Sequence, residues 1–194
     1  MSAGLTGFAA TNWNNVATAS GTAGSLTDDS GTATGASVTW GAGGVWGDSA
    51  ADGDADLGIG DAILARGYLD DQDTGGGIGN NFDVTGISFT TYSVVLYYST
   101  DGTGVGYRDA TVNGTTSSTT GARRQYQNPN WDASNTIVFT GLSGNLDVDV
   151  LSGPSGGERG SLAGFQIVDT TIPEPSSTAL LGLGGLALIL RRRK

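Results

Sequence analysis

Residues 92–98, Tyr-Ser-Val-Val-Leu-Tyr-Tyr, carry apolar side chains at both odd and even positions of one short run. In an extended chain, successive side chains point to opposite faces. A run of this kind therefore reads as a central strand covered on both sides. Whatever else the chain builds has to supply a layer for each face.

The neighbouring segments supply strands of the half-buried kind. Val38 and Trp40 share a face at period two, as do Leu146, Val148 and Val150, with Asp147 and Asp149 pointing out. Residues 82–89 alternate in part, with Gly86 between Val84 and Ile87 as an expected bulge. Residues 107–112 run into Asn113-Gly114, the dipeptide favoured in tight hairpins, and residues 136–140 and 162–168 add further strands. Asp28-Asp29-Ser30-Gly31 reads as a turn, and residues 115–131 as a long polar excursion. Residues 61–68 suit one helical turn, with Asp61 as N-cap and Gly67 as stop. Trp13 is expected in the core, since a lone Trp is more often packed than functional. The 34 glycines far exceed the usual share of about 7% and fit many turns between short strands. About eight strands, with turn signals every 8–12 residues or so, predict an all-β antiparallel sandwich or jelly roll.

Charge and missing residue types remove whole classes of chemistry. Of nine cations and 19 carboxylates, four and one lie beyond residue 171, which leaves residues 1–171 at −13. A body this acidic repels phosphate backbones, so a nucleic-acid partner is excluded. No Cys means no disulfide and no thiolate site, and no His removes Ser-His-Asp triads and the usual zinc sites. Lys occurs only at position 194, so the body has no Schiff-base amine. Residues 75–79, Gly-Gly-Gly-Ile-Gly, lack the following Lys-Ser/Thr of a phosphate cradle.

Carboxylate chemistry and oxygen-ligand sites remain. Asp48, Asp52, Asp54 and Asp56 are the candidate Ca²⁺ ligands. The Asp-x-Asp-x-Asp spacing of Asp52, Asp54 and Asp56 opens like an EF-hand loop but continues with Leu57 and Ile63 where Gly and Glu are required. The bland alternative is a solvated acidic loop. For a glycan, Trp46, Tyr126, Trp131 and Arg123 could form an aromatic platform with a polar neighbour; the competing reading is that these rings fill the core. A carboxylate-pair glycoside hydrolase is the enzymatic alternative, but Glu158 is the only Glu in the body and no motif fixes a pair. The expectation is a non-catalytic body, either a glycan-binding or a purely structural module.

The C-terminal stretch is of a different kind. Pro173-Glu174-Pro175 is followed by uncharged residues 176–190 and then by Arg191, Arg192, Arg193 and Lys194. Fifteen residues make a helix of about 22 Å. That is short of the roughly 30 Å hydrocarbon core, a deficit that snorkelling by the terminal cations can cover. The positive-inside rule keeps those cations cytoplasmic and puts the prolines outside. Residues 179–190 lack the polar face of a soluble core helix, and their Gly182, Gly184 and Gly185 suit a membrane helix.

This order of motif, apolar segment and basic end resembles the PEP-CTERM protein-sorting tail. The resemblance implies recognition by an exosortase, a membrane-embedded protease or transpeptidase that cuts near the Pro-Glu-Pro motif after export. Pro173, Glu174 and Pro175 would be the motif and Arg191, Arg192, Arg193 and Lys194 the membrane stop. It implies an extended linker and one C-terminal transmembrane helix, with export, transient inner-membrane anchoring and a final place at the cell surface or matrix. Residues 1–10 show no cationic or apolar leader, so the expectation is a signal peptide lying outside this sequence. The domains then read as 1–10, a sandwich at 11–170 and the tail at 171–194. The body is similar to galactose-binding-like sandwiches on diffuse features: Asn12-Trp13-Asn14-Asn15, Arg66-Gly67-Tyr68-Leu69-Asp70, and residues 92–101 and 160–169.

Overall fold

A computed structural model of the chain describes residues 2–47, 60–71, 77–100, 108–121, 123–124, 131–153 and 160–171. Among the described residues, twelve strands and one short helix follow in order: β1 (Ser20–Ala23), β2 (Ser37–Ala42), β3 (Gly44–Gly47), α1 (Gly60–Arg66), β4 (Gly67–Asp70), β5 (Gly77–Thr85), β6 (Tyr92–Thr100), β7 (Asp109–Val112), β8 (Thr115–Ser118), β9 (Arg123–Arg124), β10 (Thr136–Leu142), β11 (Leu146–Ser152) and β12 (Leu162–Asp169). They form two sheets, β1-β2-β5-β11-β7-β8 and β10-β6-β12-β4-β3, with β9 pairing parallel to the end of β6. All other pairings are antiparallel. The all-β sandwich is as expected.

The main core lies between the sheets. From the first come Val38, Phe82, Val84, Ala110, Val112, Leu146, Val148 and Val150; from the second come Tyr92, Val94, Leu96, Tyr98, Ile137, Phe139 and Leu162. Fully burying one such aliphatic side chain stabilises by about 1.5–3 kcal/mol. Phe82 of β5 stacks on Phe165 of β12 at 4.2 Å, joining the layers. Leu146, Val148 and Val150 face in and Asp147 faces out, as the alternation requires.

Every residue of β6 before Thr100 is buried. Its even positions face the main core, while Val95 and Tyr97 face a second, smaller core on the outer side of their sheet. That core is covered by Leu64 and Ala65 of α1, by Trp131, and by Leu5, Phe8 and Trp13 of the N-terminal segment. Tyr97 is its pivot, with Trp13 and Trp131 set edge-on at 5.8 and 4.9 Å. The Tyr97 hydroxyl accepts from the Leu5 amide at 3.1 Å and donates to Gln166 Oε1, and Gln166 Nε2 donates to the Phe8 carbonyl at 2.8 Å. Trp13 is therefore a core residue, as expected. Residues 2–10 belong to the folded body, with Ala3 bridged to Ala10 and 4% exposed.

Several local expectations are corrected. Gly86 does not form a bulge: β5 ends at Thr85, and Gly86 turns the chain at φ +74°. The strand starts earlier instead, taking in Gly77, Ile78 and Gly79. Residues 115–118 of the polar excursion are the return strand of a hairpin, because Asn113 and Gly114 both adopt positive φ, 46° and 80°. Asp61 does not cap α1 from outside; it sits in the first turn and accepts from the Gly4 amide at 2.7 Å. Of the four edge strands, β1, β3 and β8 are only four residues long, and β10 is seven.

Candidate functional site

The strand registers divide the body into two poles. Asp169 pairs with Tyr92, and the Thr170 amide donates to the Thr91 carbonyl at 3.1 Å, so the chain leaves the fold at the start of β6. Asn113-Gly114 turns at that pole beside Asn145 and Asp147, and the 24–36 connection between β1 and β2 returns there too, since Ser37 pairs with Thr85. At the other pole lie Asp71, Gly77, Thr100, Arg108, Gly121, Gly153 and Gly160. These residues flank segments 72–76, 101–107 and 154–159 and lead toward 122–130. This loop-bearing pole lies opposite the end at which Asp169 pairs with Tyr92.

The proposed glycan platform is not assembled by its described members. Trp46 lies on edge strand β3 and stacks face to face on Tyr68 of β4, at 5.5 Å and 15°. It is half-buried. Trp131 is 4% exposed and wedged against Tyr97 of β6, which β12 and β4 separate from β3. Its ring is core, so the packing alternative describes it. Arg123 belongs to β9, beside Ser99 at the loop-bearing pole, and Tyr126 lies outside the described residues. The candidate Ca²⁺ ligands Asp48, Asp52, Asp54 and Asp56 also lie outside them. Among the described residues, no three metal-capable side chains gather in one place.

What the structure does assemble at the loop-bearing pole is a buried polar tie. Asp71, Asn80, Ser152 and Ser161 are each at most 5% exposed. Ser152 Oγ donates to Asp71 Oδ2, joining the end of β11 to the end of β4. Asn80 Nδ2 donates to the Gly160 carbonyl at 2.5 Å and to the Leu69 carbonyl at 3.2 Å, joining β5 to β4 and to the entry of β12. The backbone of Gly79 seals the pair: a Cβ there would stand 2.4 Å from Asp71 Oδ2 and 2.7 Å from Ser152 Oγ. A serine and a carboxylate closed off in this way hold strand ends together. The sequence did carry a signal for this tie, because Asn80 falls at the inward parity of β5, in step with Phe82 and Val84. Tyr98, fully buried, has no hydrogen-bond partner for its hydroxyl among the described residues. Burial, and then the Asp109 carboxylate, push its phenol well above the usual range.

The outer face of the first sheet is polar. Thr22–Thr39, Ser37–Thr85 and Thr111–Thr116 hydroxyl pairs bridge adjacent strands at 2.9–3.0 Å. Between them Asp83 pairs with Asp147 in register, and Asp149 lies one rung further on. Burial first, then the charges of Asp147 and Asp83, raise the Asp149 carboxyl above its ordinary value. Carboxylates held by turn amides and hydroxyls go the other way. Asp28 accepts from Ser30 and Thr32, Asp132 from Ser134, and Asp169 from Thr171, and each is lowered by those bonds.

The sorting residues Pro173, Glu174 and Pro175, the apolar segment 176–190, and Arg191, Arg192, Arg193 and Lys194 lie beyond the described residues. Among the described residues, no helix is long and apolar enough to cross a membrane. Residues 171–194 match the family model of the PEP-CTERM protein-sorting motif, so the chain carries that sorting signal. No curated protein and no solved structure matches the chain. These comparisons give the likeness of the body to galactose-binding-like sandwiches no support.

Proposed function

We propose that this chain, bearing a PEP-CTERM sorting tail, is exported and held in the inner membrane by residues 176–190. An exosortase-type membrane protease then trims it, leaving a non-catalytic β-sandwich at the cell surface or in the extracellular matrix. The sorting-motif match over residues 171–194 carries this reading. The physical order of the tail supports it. Two prolines keep Pro173-Glu174-Pro175 out of helical structure, as a protease cleft needs, and the terminal cations hold the far end in the cytoplasm. The partner proposed for the body is a neutral extracellular polysaccharide, compatible with a charge of −13 over residues 1–171. The pole opposite Asp169, where segments 72–76, 101–107 and 154–159 attach, is the end turned toward such a partner.

Mass spectrometry of the mature protein from its native cells tests the sorting reading. The expected product ends near Pro173-Glu174-Pro175 and lacks residues 176–194; a surface-located chain still ending at Lys194 refutes it. Retention of the trimmed body on a glycan array tests the polysaccharide, and binding to no neutral glycan removes that partner.

A further inference from the structure

The sorting motif begins almost inside the fold. Ile167 is the last residue of β12 whose side chain packs on the main core, and Asp169, Thr170 and Thr171 are exposed. These three are nevertheless held. Asp169 is in register with Tyr92, the Thr170 amide donates to Thr91, and the Thr171 amide donates to Asp169 Oδ1 at 2.8 Å. Only Ile172 then separates Thr171 from Pro173. Two Cα–Cα steps span at most about 7.6 Å, so the motif starts within that distance of the sheet whatever path the chain takes. A body of this length has a radius of gyration of about 15 Å. It therefore stands against whatever grips the motif.

We propose, building on the sorting reading above, that the end of β12 gates processing: residues 169–171 leave the sheet before Pro173-Glu174-Pro175 seats in the sorting enzyme. Clefts that bind peptides hold them extended, often by strand addition, over residues flanking the recognised ones. On the N-terminal side those residues begin at 169, and Asp169 is already paired with Tyr92 while the Thr170 amide is already bonded to Thr91. The fold makes the release local. β4 meets β12 only at Leu162↔Leu69, so among the described residues the second half of β12 is paired along β6 alone. Phe165, stacked on Phe82, and Ile167 stop the peeling before it reaches the core. Releasing three residues lengthens the free tether by about 10 Å.

Two full-length variants, followed by pulse-chase with the unaltered chain in cells that carry the sorting enzyme, test this. A flexible Gly-Ser linker of about six residues between Thr171 and Ile172 supplies reach with the clasp intact. Thr170→Pro removes the amide that donates to Thr91 and supplies no reach. Both are expected to be trimmed faster than the unaltered chain, by about fivefold, the population factor of one net backbone hydrogen bond. A linker variant trimmed at the unaltered rate, or more slowly, overturns the gate while leaving the sorting reading standing. Faster trimming of the linker variant with Thr170→Pro unchanged also overturns it, because reach alone would then be limiting. Trimming of none of the three chains overturns the sorting reading and the gate together.

Discussion

Replacing Tyr97 by Phe isolates the polar half of the second core. The ring and its edge-on contacts with Trp13 and Trp131 are kept, but the Leu5 amide loses its acceptor and Gln166 Oε1 loses its donor. Each hydrogen bond contributes about 0.5–1.5 kcal/mol net, so the cost is about 1–3 kcal/mol. At about 2–4 °C of Tm per kcal/mol for a chain of this size, that is a fall of roughly 2–12 °C. The pH dependence is the sharper signature. Burial, the largest cause, pushes the Tyr97 phenol up from 10.0 to about 12. A phenol whose folded pKa exceeds its unfolded one stabilises fully below pH 10.0 and loses that contribution as pH rises toward about 12. Two pH units are worth about 2.7 kcal/mol. Tyr92 and Tyr98 are also raised, but they are common to both proteins. The Tm gap between the parent and Tyr97→Phe should therefore narrow above pH 10 and be constant from pH 7 to 9. Thermal melts across that range check it. A variant within about 0.5 kcal/mol of the parent at pH 7 refutes the assignment of Tyr97 as the polar pivot.

Two glycines of similar φ should respond differently to alanine. Gly114→Ala meets open space and carries only the left-handed backbone cost, about 1–2 kcal/mol, whereas Gly86→Ala adds a Cβ at 2.4 Å from the Gly35 carbonyl and should exceed about 3 kcal/mol by chemical denaturation. Asp149→Asn should stabilise at pH 7 by about 0.2–1 kcal/mol, since it removes a charge that burial and Asp147 and Asp83 disfavour. A raised carboxyl stabilises below its unfolded pKa and loses this as pH rises, so the gain should vanish in acid melts below pH 3.8. Asp28, Asp132 and Asp169 have the opposite sign, and their contributions are lost as pH falls through their lowered values, which the same acid melts report as falling Tm. Deleting residues 172–194 should leave the Tm of the body within about 2 °C while abolishing membrane co-sedimentation.

The strands that could be read from sequence are those whose neighbours impose a period. β6 declares itself by apolar residues at both parities, and β11 by strict alternation. β8 is hidden because Thr115-Thr116-Ser117-Ser118 has no apolar residue; only the Asn113-Gly114 turn commits the chain to return. The cover of the second core is hidden for another reason. Leu5, Phe8 and Trp13 follow neither a helical nor a strand period, and they are placed by Tyr97 and Gln166, which are remote in sequence. The same remoteness defeats the aromatic platform, since Trp46 and Trp131 take their partners, Tyr68 and Tyr97, from other parts of the chain. The sorting signal needs no such partner. It is contiguous, so its residues can be read directly.

The three four-residue edge strands bear on how copies behave when held side by side. Unpaired strand edges invite cross-molecule ladders, above all where many identical domains are crowded at one height above a surface. Ser-Gly-Thr-Ala, Gly-Val-Trp-Gly and Thr-Thr-Ser-Ser offer too few consecutive amides for a long intermolecular ladder, the seven-residue fourth edge, β10, is irregular between Phe139 and Leu142, and a charge of −13 over residues 1–171 pushes neighbours apart. A dense lawn of these domains would keep water between its members and remain a set of separate folds.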